Sequence, residues 1–297
     1  MGSHFHFRST CIGWVVGGLL WALLLVALSG ATTPSAAQRT AARVQLGTLL
    51  LADQRLSASG QVACLDCHQP AKAYTDGRTT ATPGGLNTPT LWGLNNRAAF
   101  GWFSPEVTTL EAMVLRPLAD AAEMGPLSAE SLDRLNTDPH LVAAYGAAFP
   151  GEPIGWKNTT QALAAALRVL VAPDRPYDRW LAGDAQALSP EALRGERLFG
   201  EIGCASCHRP PAFATDSYLA LGIVPSGDRN TERARVPSLR GVRLTAPYFH
   251  DGSAPTLLAV LRAYERGGEV PGAPSVVGPI LLTAQDRADL VAFLESL

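Results

Sequence analysis

Apolar residues recur along most of this chain at helical spacing, and no stretch alternates apolar and polar positions strongly enough to predict a strand. Thr159 and Thr160 precede an Ala/Leu-rich run, QALAAALRVLV, which predicts a helix starting there. Ser189-Pro190-Glu191 pairs a capping hydroxyl with proline at the first helical position. Thr283-x-x-Asp286 opens a last helix on which Leu290, Phe293, Leu294 and Leu297 share one face. Leu257, Val260, Leu261 and Tyr264 share a face of another, so Tyr264 is expected to point inward. Between the helices lie Pro/Gly-rich loops, 82–89 and 268–278, and residues 172–189 read as a connection between two halves. The predicted fold class is all-α, with long loops and little strand.

The pattern breaks at the N-terminus. Arg8 is followed by an apolar run from Cys11 to Ser29 and then by small residues, Gly30-Ala31 and Ser35-Ala36-Ala37. Residues 1–37 are therefore expected to be a signal peptide or, read the other way, an uncleaved membrane anchor, because ~18–20 apolar residues suffice to span a bilayer. Both readings place the rest of the chain outside the cytoplasm. The composition is globular: 47% of the 297 residues are hydrophobic and 17% charged, with a formal net charge of −2. No Lys/Arg cluster marks a nucleic-acid partner, and none is expected.

Four cysteines follow the leader, as Cys64-Leu-Asp-Cys67-His68 and Cys204-Ala-Ser-Cys207-His208. C-x-x-C-H is the attachment signature of c-type haem. Two thiols about one helical turn apart can add to the two vinyl groups of one porphyrin, and the next residue offers its imidazole to the iron. Two disulfides or a zinc site would also use four cysteines, but neither explains a histidine directly after both pairs. The two segments repeat: Pro70 and Pro210 fall at one offset, as do Thr75-Asp76 and Thr215-Asp216, and Gly47 and Gly195 sit in helical stretches upstream. Such repetition predicts two cytochrome c-type haem domains packed together, 38–185 and 186–297, each with one covalent haem c. Past the leader the spare histidines are His140 and His250 and the methionines are Met113 and Met124, so a second haem with a nearby methionine ligand has no local candidate. His140 reads as a surface or capping residue.

From about Val44 to Leu297 the chain resembles the bacterial dihaem cytochrome c peroxidase family, MauG-like enzymes included. The resemblance rests on LGTLLLADQRLSASGQVACLDCH, AYTDGR, NTPTL, AEMG, RPYDRWLAGD, VPSLRGVRLTAPYFHDG and DLVAFLESL, in the family's order and spacing. It implies peroxide chemistry at the N-terminal haem, with His68 as proximal ligand, and electron relay through the second haem, with His208 as proximal ligand. It implies Glu123 as distal acid/base, Pro117 as a residue of the distal pocket and Trp102 as the bridge between the haems. It implies a calcium site made by Asn87, Thr245 and Pro247. Tyr264 falls where MauG-like members place the second haem's distal ligand, and His250 is its competitor. No histidine lies between His68 and His140, so the first haem is expected to keep an open coordination position. WFSPEVTTLE resembles the branch that oxidises tryptophan in a partner protein, and Met113 stands where many members have a distal glutamine. The residues before the second motif, Glu201-Ile202-Gly203, lack the tryptophan through which MauG relays oxidation.

The function implied is a periplasmic peroxidase that reduces hydrogen peroxide with electrons from a small donor cytochrome or cupredoxin. A MauG-like enzyme would instead draw electrons from aromatic residues of a partner protein, and a dihaem electron carrier would do no peroxide chemistry. The resemblance is also compatible with a homodimer.

Overall fold

The structure is a computed structural model that describes residues 1–2, 34–82, 85–222, 233–268 and 275–297. The expected leader lies outside the described residues except at its edges, 1–2 and 34–37. Ten α-helices are described: α1 (Ala36–Leu51), α2 (Cys64–Cys67), α3 (Leu110–Ala119), α4 (Ala129–Asn136), α5 (Pro139–Ala148), α6 (Trp156–Arg168), α7 (Pro176–Leu181), α8 (Pro190–Glu201), α9 (Leu257–Glu265) and α10 (Ala284–Ser296). The described residues hold a single antiparallel strand pair, β1 (Tyr218–Leu219) with β2 (Ala234–Arg235). The all-α expectation holds. Among the described residues no helix is long and apolar enough to cross a membrane.

Capping explains where the helices start. The Ser189 hydroxyl accepts from the Ala192 N–H at 3.1 Å, and Thr283 and Asp286 satisfy each other's backbone donors, as their spacing predicts. α6 starts at Trp156, earlier than the Ala/Leu run suggests, because Asn158 Oδ1 accepts from the Gly155 N–H at 2.9 Å. The segment 172–189 is not merely a connection. It contains α7, opened by Pro176 and capped by Asp178, whose carboxylate accepts from the Arg175 N–H at 2.9 Å.

Within the compact unit Arg39–Leu297, buried apolar side chains form two clusters. The first gathers Leu46, Leu50, Leu110, Leu118, Tyr145 and Leu163 from α1, α3, α5 and α6. The second gathers Tyr177, Phe199, Phe213, Leu261, Leu290 and Phe293 from α7 to α10 and the loop after the second cysteine motif. Each fully buried leucine or phenylalanine contributes about 1.5–3 kcal/mol. Both clusters depend on a close helix crossing at a glycine. A Cβ on Gly47 would collide with the Ala162 carbonyl of α6, and one on Gly195 with the Asp289 carbonyl of α10. These are the two glycines that the sequence repeat singles out upstream of the cysteine motifs.

Candidate active site

The two C-x-x-C-H segments fold alike. In each, the histidine N–H donates to the first cysteine's carbonyl, His68 to Cys64 at 2.8 Å and His208 to Cys204 at 3.0 Å. The start of α2 is capped by Asp66, whose carboxylate accepts from the Ala63 N–H at 2.8 Å. The chain then turns back beneath each histidine. His68 Nδ1 donates to the Tyr74 carbonyl at 3.0 Å and His208 Nδ1 to the Phe213 carbonyl at 3.1 Å. Both acceptors sit in left-handed backbone, at φ 59° and 49°. A hydroxyl pins each turn: Thr90 donates to the Ala73 carbonyl at 2.6 Å, and Ser238 to the Ala212 carbonyl at 2.7 Å. Thus Asn87-Thr88-Pro89-Thr90 and Arg235-Val236-Pro237-Ser238 are equivalent segments of one repeated cradle.

This geometry fixes the chemistry of both imidazoles. An Nδ1–H bound to a carbonyl leaves Nε2 as the lone-pair nitrogen, the form that ligates iron. Burial of each ring also holds its pKa below the usual histidine range, which favours the neutral form. Burial pushes the Cys64 thiol up to about 12 and the Cys204 thiol up to about 11. None of these four cysteines is in a disulfide.

A cavity of about 550 Å³ lies over the second motif, lined by Cys204, Cys207 and His208 and floored by Leu239, Leu261 and Leu290. Polar atoms in its wall are buried with no protein partner: Thr88 Oγ1, Trp102 Nε1 and Arg235 Nε. Arg97, paired to Asp216 at 2.8 Å, also lines it. Burial, with Arg97 beside it, pulls the Arg235 guanidinium down to about 10. An apolar slot with thiols and imidazole on one wall and orphaned donors and cations on another fits a porphyrin bearing two carboxylates. The residues present therefore fit haem c, held by Cys204, Cys207 and His208 here and by Cys64, Cys67 and His68 in the matching cradle.

Tyr264 and His250 both line this cavity. Tyr264 comes from α9, its ring edge-on to Phe249 at 6.4 Å. His250 is buried, edge-on to Phe103 at 5.4 Å. Trp102 stands in the same wall, its carbonyl accepting from the Arg235 N–H at 2.9 Å. Asn87 ties the two halves together. Its Nδ2 donates to the Pro247 carbonyl at 2.7 Å and the Phe249 carbonyl at 3.0 Å, and its backbone N–H to the His250 carbonyl at 2.7 Å. Two of the three expected calcium donors thus meet, and Thr245 lies two residues from Pro247. An ion there would take the amide oxygen after a half-turn of the Asn87 side chain.

Glu123 occupies the loop after α3, which contains Pro117. The loop is pinned by Met124, whose N–H donates to the Pro117 carbonyl at 3.2 Å and whose carbonyl accepts from the Ala58 N–H at 2.8 Å. Glu123 is exposed; the Cys67 thiol is pushed up by burial first, then by the charge of Asp76, with a smaller contribution from Glu123. His140 is exposed at the start of α5, as expected.

Residues 41–186 match the di-haem cytochrome c peroxidase family, and residues 235–268 match a RoxA-like, cytochrome c-like family. The methylamine utilization protein MauG of Methylorubrum extorquens is 36% identical over 284 residues, covering 89% of this chain and 80% of its own. The chain belongs to the dihaem cytochrome c peroxidase family. The cytochrome c peroxidase Ccp of Escherichia coli is 32% identical, covering 86% of this chain and 58% of its own. Among solved structures, a MauG-like protein associated with microbial copper homeostasis superposes with a TM-score of 0.78 at 31% identity, covering 86% of this chain and 89% of that one. Membership in this family of haem-dependent peroxidases makes the chain an oxidoreductase with two haem c groups.

Relative to the sequence reading, the structure adds Arg97 and Arg235 to the second cavity and Tyr177 to the second core. A lone arginine carries no local signal. Tyr177 sits in a six-residue helix too short to show a period.

Proposed function

We propose that this dihaem enzyme reduces hydrogen peroxide at the N-terminal haem, held by Cys64, Cys67 and His68, with electrons relayed through the haem held by Cys204, Cys207 and His208. When bound, haem would supply the iron and the electrons for O–O cleavage. The residues of the chain supply position and protons. His68, locked by the Tyr74 carbonyl, keeps Nε2 directed to the metal. Glu123 takes the proton from the near oxygen of peroxide and returns it to the far one, which leaves as water. Over the cycle, hydrogen peroxide, two electrons and two protons give two waters. Trp102, in the wall of the second cavity, serves as the bridge between the two centres.

The observation that carries this reading is the repeated cradle, in which both imidazoles present the ligating tautomer while no histidine follows His68 before residue 140. A second reading, in which aromatic residues of a partner protein supply the electrons, draws support from Tyr264 in the second cavity. A phenolate ligand there stabilises ferric iron and suits a longer-lived oxidised state. We place the enzyme in the periplasm, tethered only if the N-terminal segment is retained.

The test is optical. Purified ferric protein should show a high-spin band that changes on mixing with one equivalent of peroxide. A spectrum of low-spin haem only, unmoved by peroxide, would reduce the chain to an electron carrier.

A further inference from the structure

The second core is a chain of aromatic rings that starts at the candidate iron ligand and ends at the surface. His208 is joined through Nδ1 to the Phe213 carbonyl at 3.1 Å. The Phe213 ring lies 5.1 Å from the ring of Tyr177, edge-on at 77°. Tyr177 lies 5.6 Å from Trp180. Tyr177 is buried, whereas Trp180, one helical turn on in α7, is only half-buried. Phe199 and Phe293 complete the packing, but phenylalanine is far harder to oxidise than tyrosine or tryptophan. The two oxidisable rings are thus the outer two of the series, ordered from core to solvent.

We propose that Tyr177 and Trp180 form the relay by which electrons pass from a donor at the protein surface to the second haem. This rests on the peroxide reading above and gives its second centre a connection to solvent. It also answers the missing tryptophan at Glu201-Ile202-Gly203: here the aromatic exit comes from α7 instead. Tunnelling slows exponentially with distance, so two short steps through oxidisable rings outrun one long step across the core. Packing alone would be served equally by phenylalanine at 177 and leucine at 180.

The electron count closes. Trp180 gives up one electron toward the haem by way of Tyr177 and recovers one from a one-electron donor at the surface. Two such passages supply the two electrons that turn one hydrogen peroxide into two waters. With no donor present, the deficit stays on the ring as a neutral radical, its N–H proton lost to solvent, and dissolved dioxygen adds to that radical.

The experiment uses the haem-loaded protein and its Trp180→Phe and Trp180→Tyr variants, with a reduced small c-type cytochrome as the electron source. Trp180→Phe should leave the peroxide-driven spectral change at the wild-type rate. It should slow oxidation of the cytochrome roughly tenfold or more, and Trp180→Tyr should restore most of that rate. Without donor, peptide mapping after peroxide should find oxygenation at Trp180 in the wild type. Cytochrome oxidation at an unchanged rate in Trp180→Phe would overturn the relay. So would an equal slowing of the peroxide step, which would mark Trp180 as structural. If Trp180→Phe fails to fold, Tyr177→Phe keeps the ring and removes its oxidisable group, and the same two outcomes apply. An anaerobic arm, following reduction of the ferric second haem by the cytochrome, judges the relay even if peroxide proves inert. The two proposals therefore fail separately.

Discussion

Gly195 of α8 lies directly against the backbone carbonyl of Asp289 in α10, so close that no side chain fits between them. Gly195→Ala must push the two helices apart and loosen the second core, at a cost of about 1–3 kcal/mol. Thermal unfolding should show a lowered midpoint. Gly146, on α5 with nothing near its would-be Cβ, provides the control: alanine there should be neutral or stabilising. Equal losses at both sites would refute the crossing argument.

Asp289 also anchors that crossing by its side chain. Arg194 grips it with Nε and Nη2, each at 2.8 Å, and Gln285 adds a bond at 2.9 Å. The Arg194 hydrogen bonds hold its carboxyl below the usual range. A depressed carboxylate pKa stabilises the fold above the unfolded-state value, and that contribution disappears as pH falls through the folded value. Asp289→Asn should therefore lower the melting temperature at neutral pH and lessen its decline on acidification. A parallel decline in variant and wild type would show that other groups set the acid limb.

Glu123→Gln retains shape and polarity but cannot carry the proton. Stopped-flow mixing with peroxide should show the initial spectral change slowed about 10²- to 10⁴-fold. The resting spectrum should not move. A wild-type rate would mean that another group near the first cradle handles the proton.

Tyr264 and His250 compete for one cavity, and substitution separates them. Tyr264→Phe is expected to change the spin state and charge-transfer bands of the second haem, with His250→Gln having little effect. The reverse result would assign the ligand to His250.

The junction at Asn87 gives a prediction about calcium. If the ion sits there, prolonged chelation should lower thermal stability, and added calcium should restore it, in the wild type but not in Asn87→Ala. Indifference to both treatments would leave the direct bonds from Asn87 to Pro247 and Phe249 as the whole of the linkage.

What could be read from the sequence was local. Ser189 and Thr283 cap helices because their partners lie three residues away. The cysteine motifs announce themselves for the same reason. The start of α6 is hidden because the cap residue is Gly155, which has no capping side chain, and Asn158 reaches back to it from within the first turn. Arg97 and Arg235 come to one cavity across 138 positions, and no periodicity encodes such a meeting. Trp180 was visible only as part of a family block, since a six-residue helix between Pro176 and the turn at Gly183 shows no repeating face.

The duplicated cradle differs at one telling place: where the first copy has the neutral amide of Asn87, the second has the guanidinium of Arg235. The amide is spent on the Pro247 and Phe249 carbonyls, whereas the guanidinium lines the second cavity. Two moulds of one shape therefore serve unlike ends, one as a seam and the other as a charged wall, and an exchange of the halves would erase both.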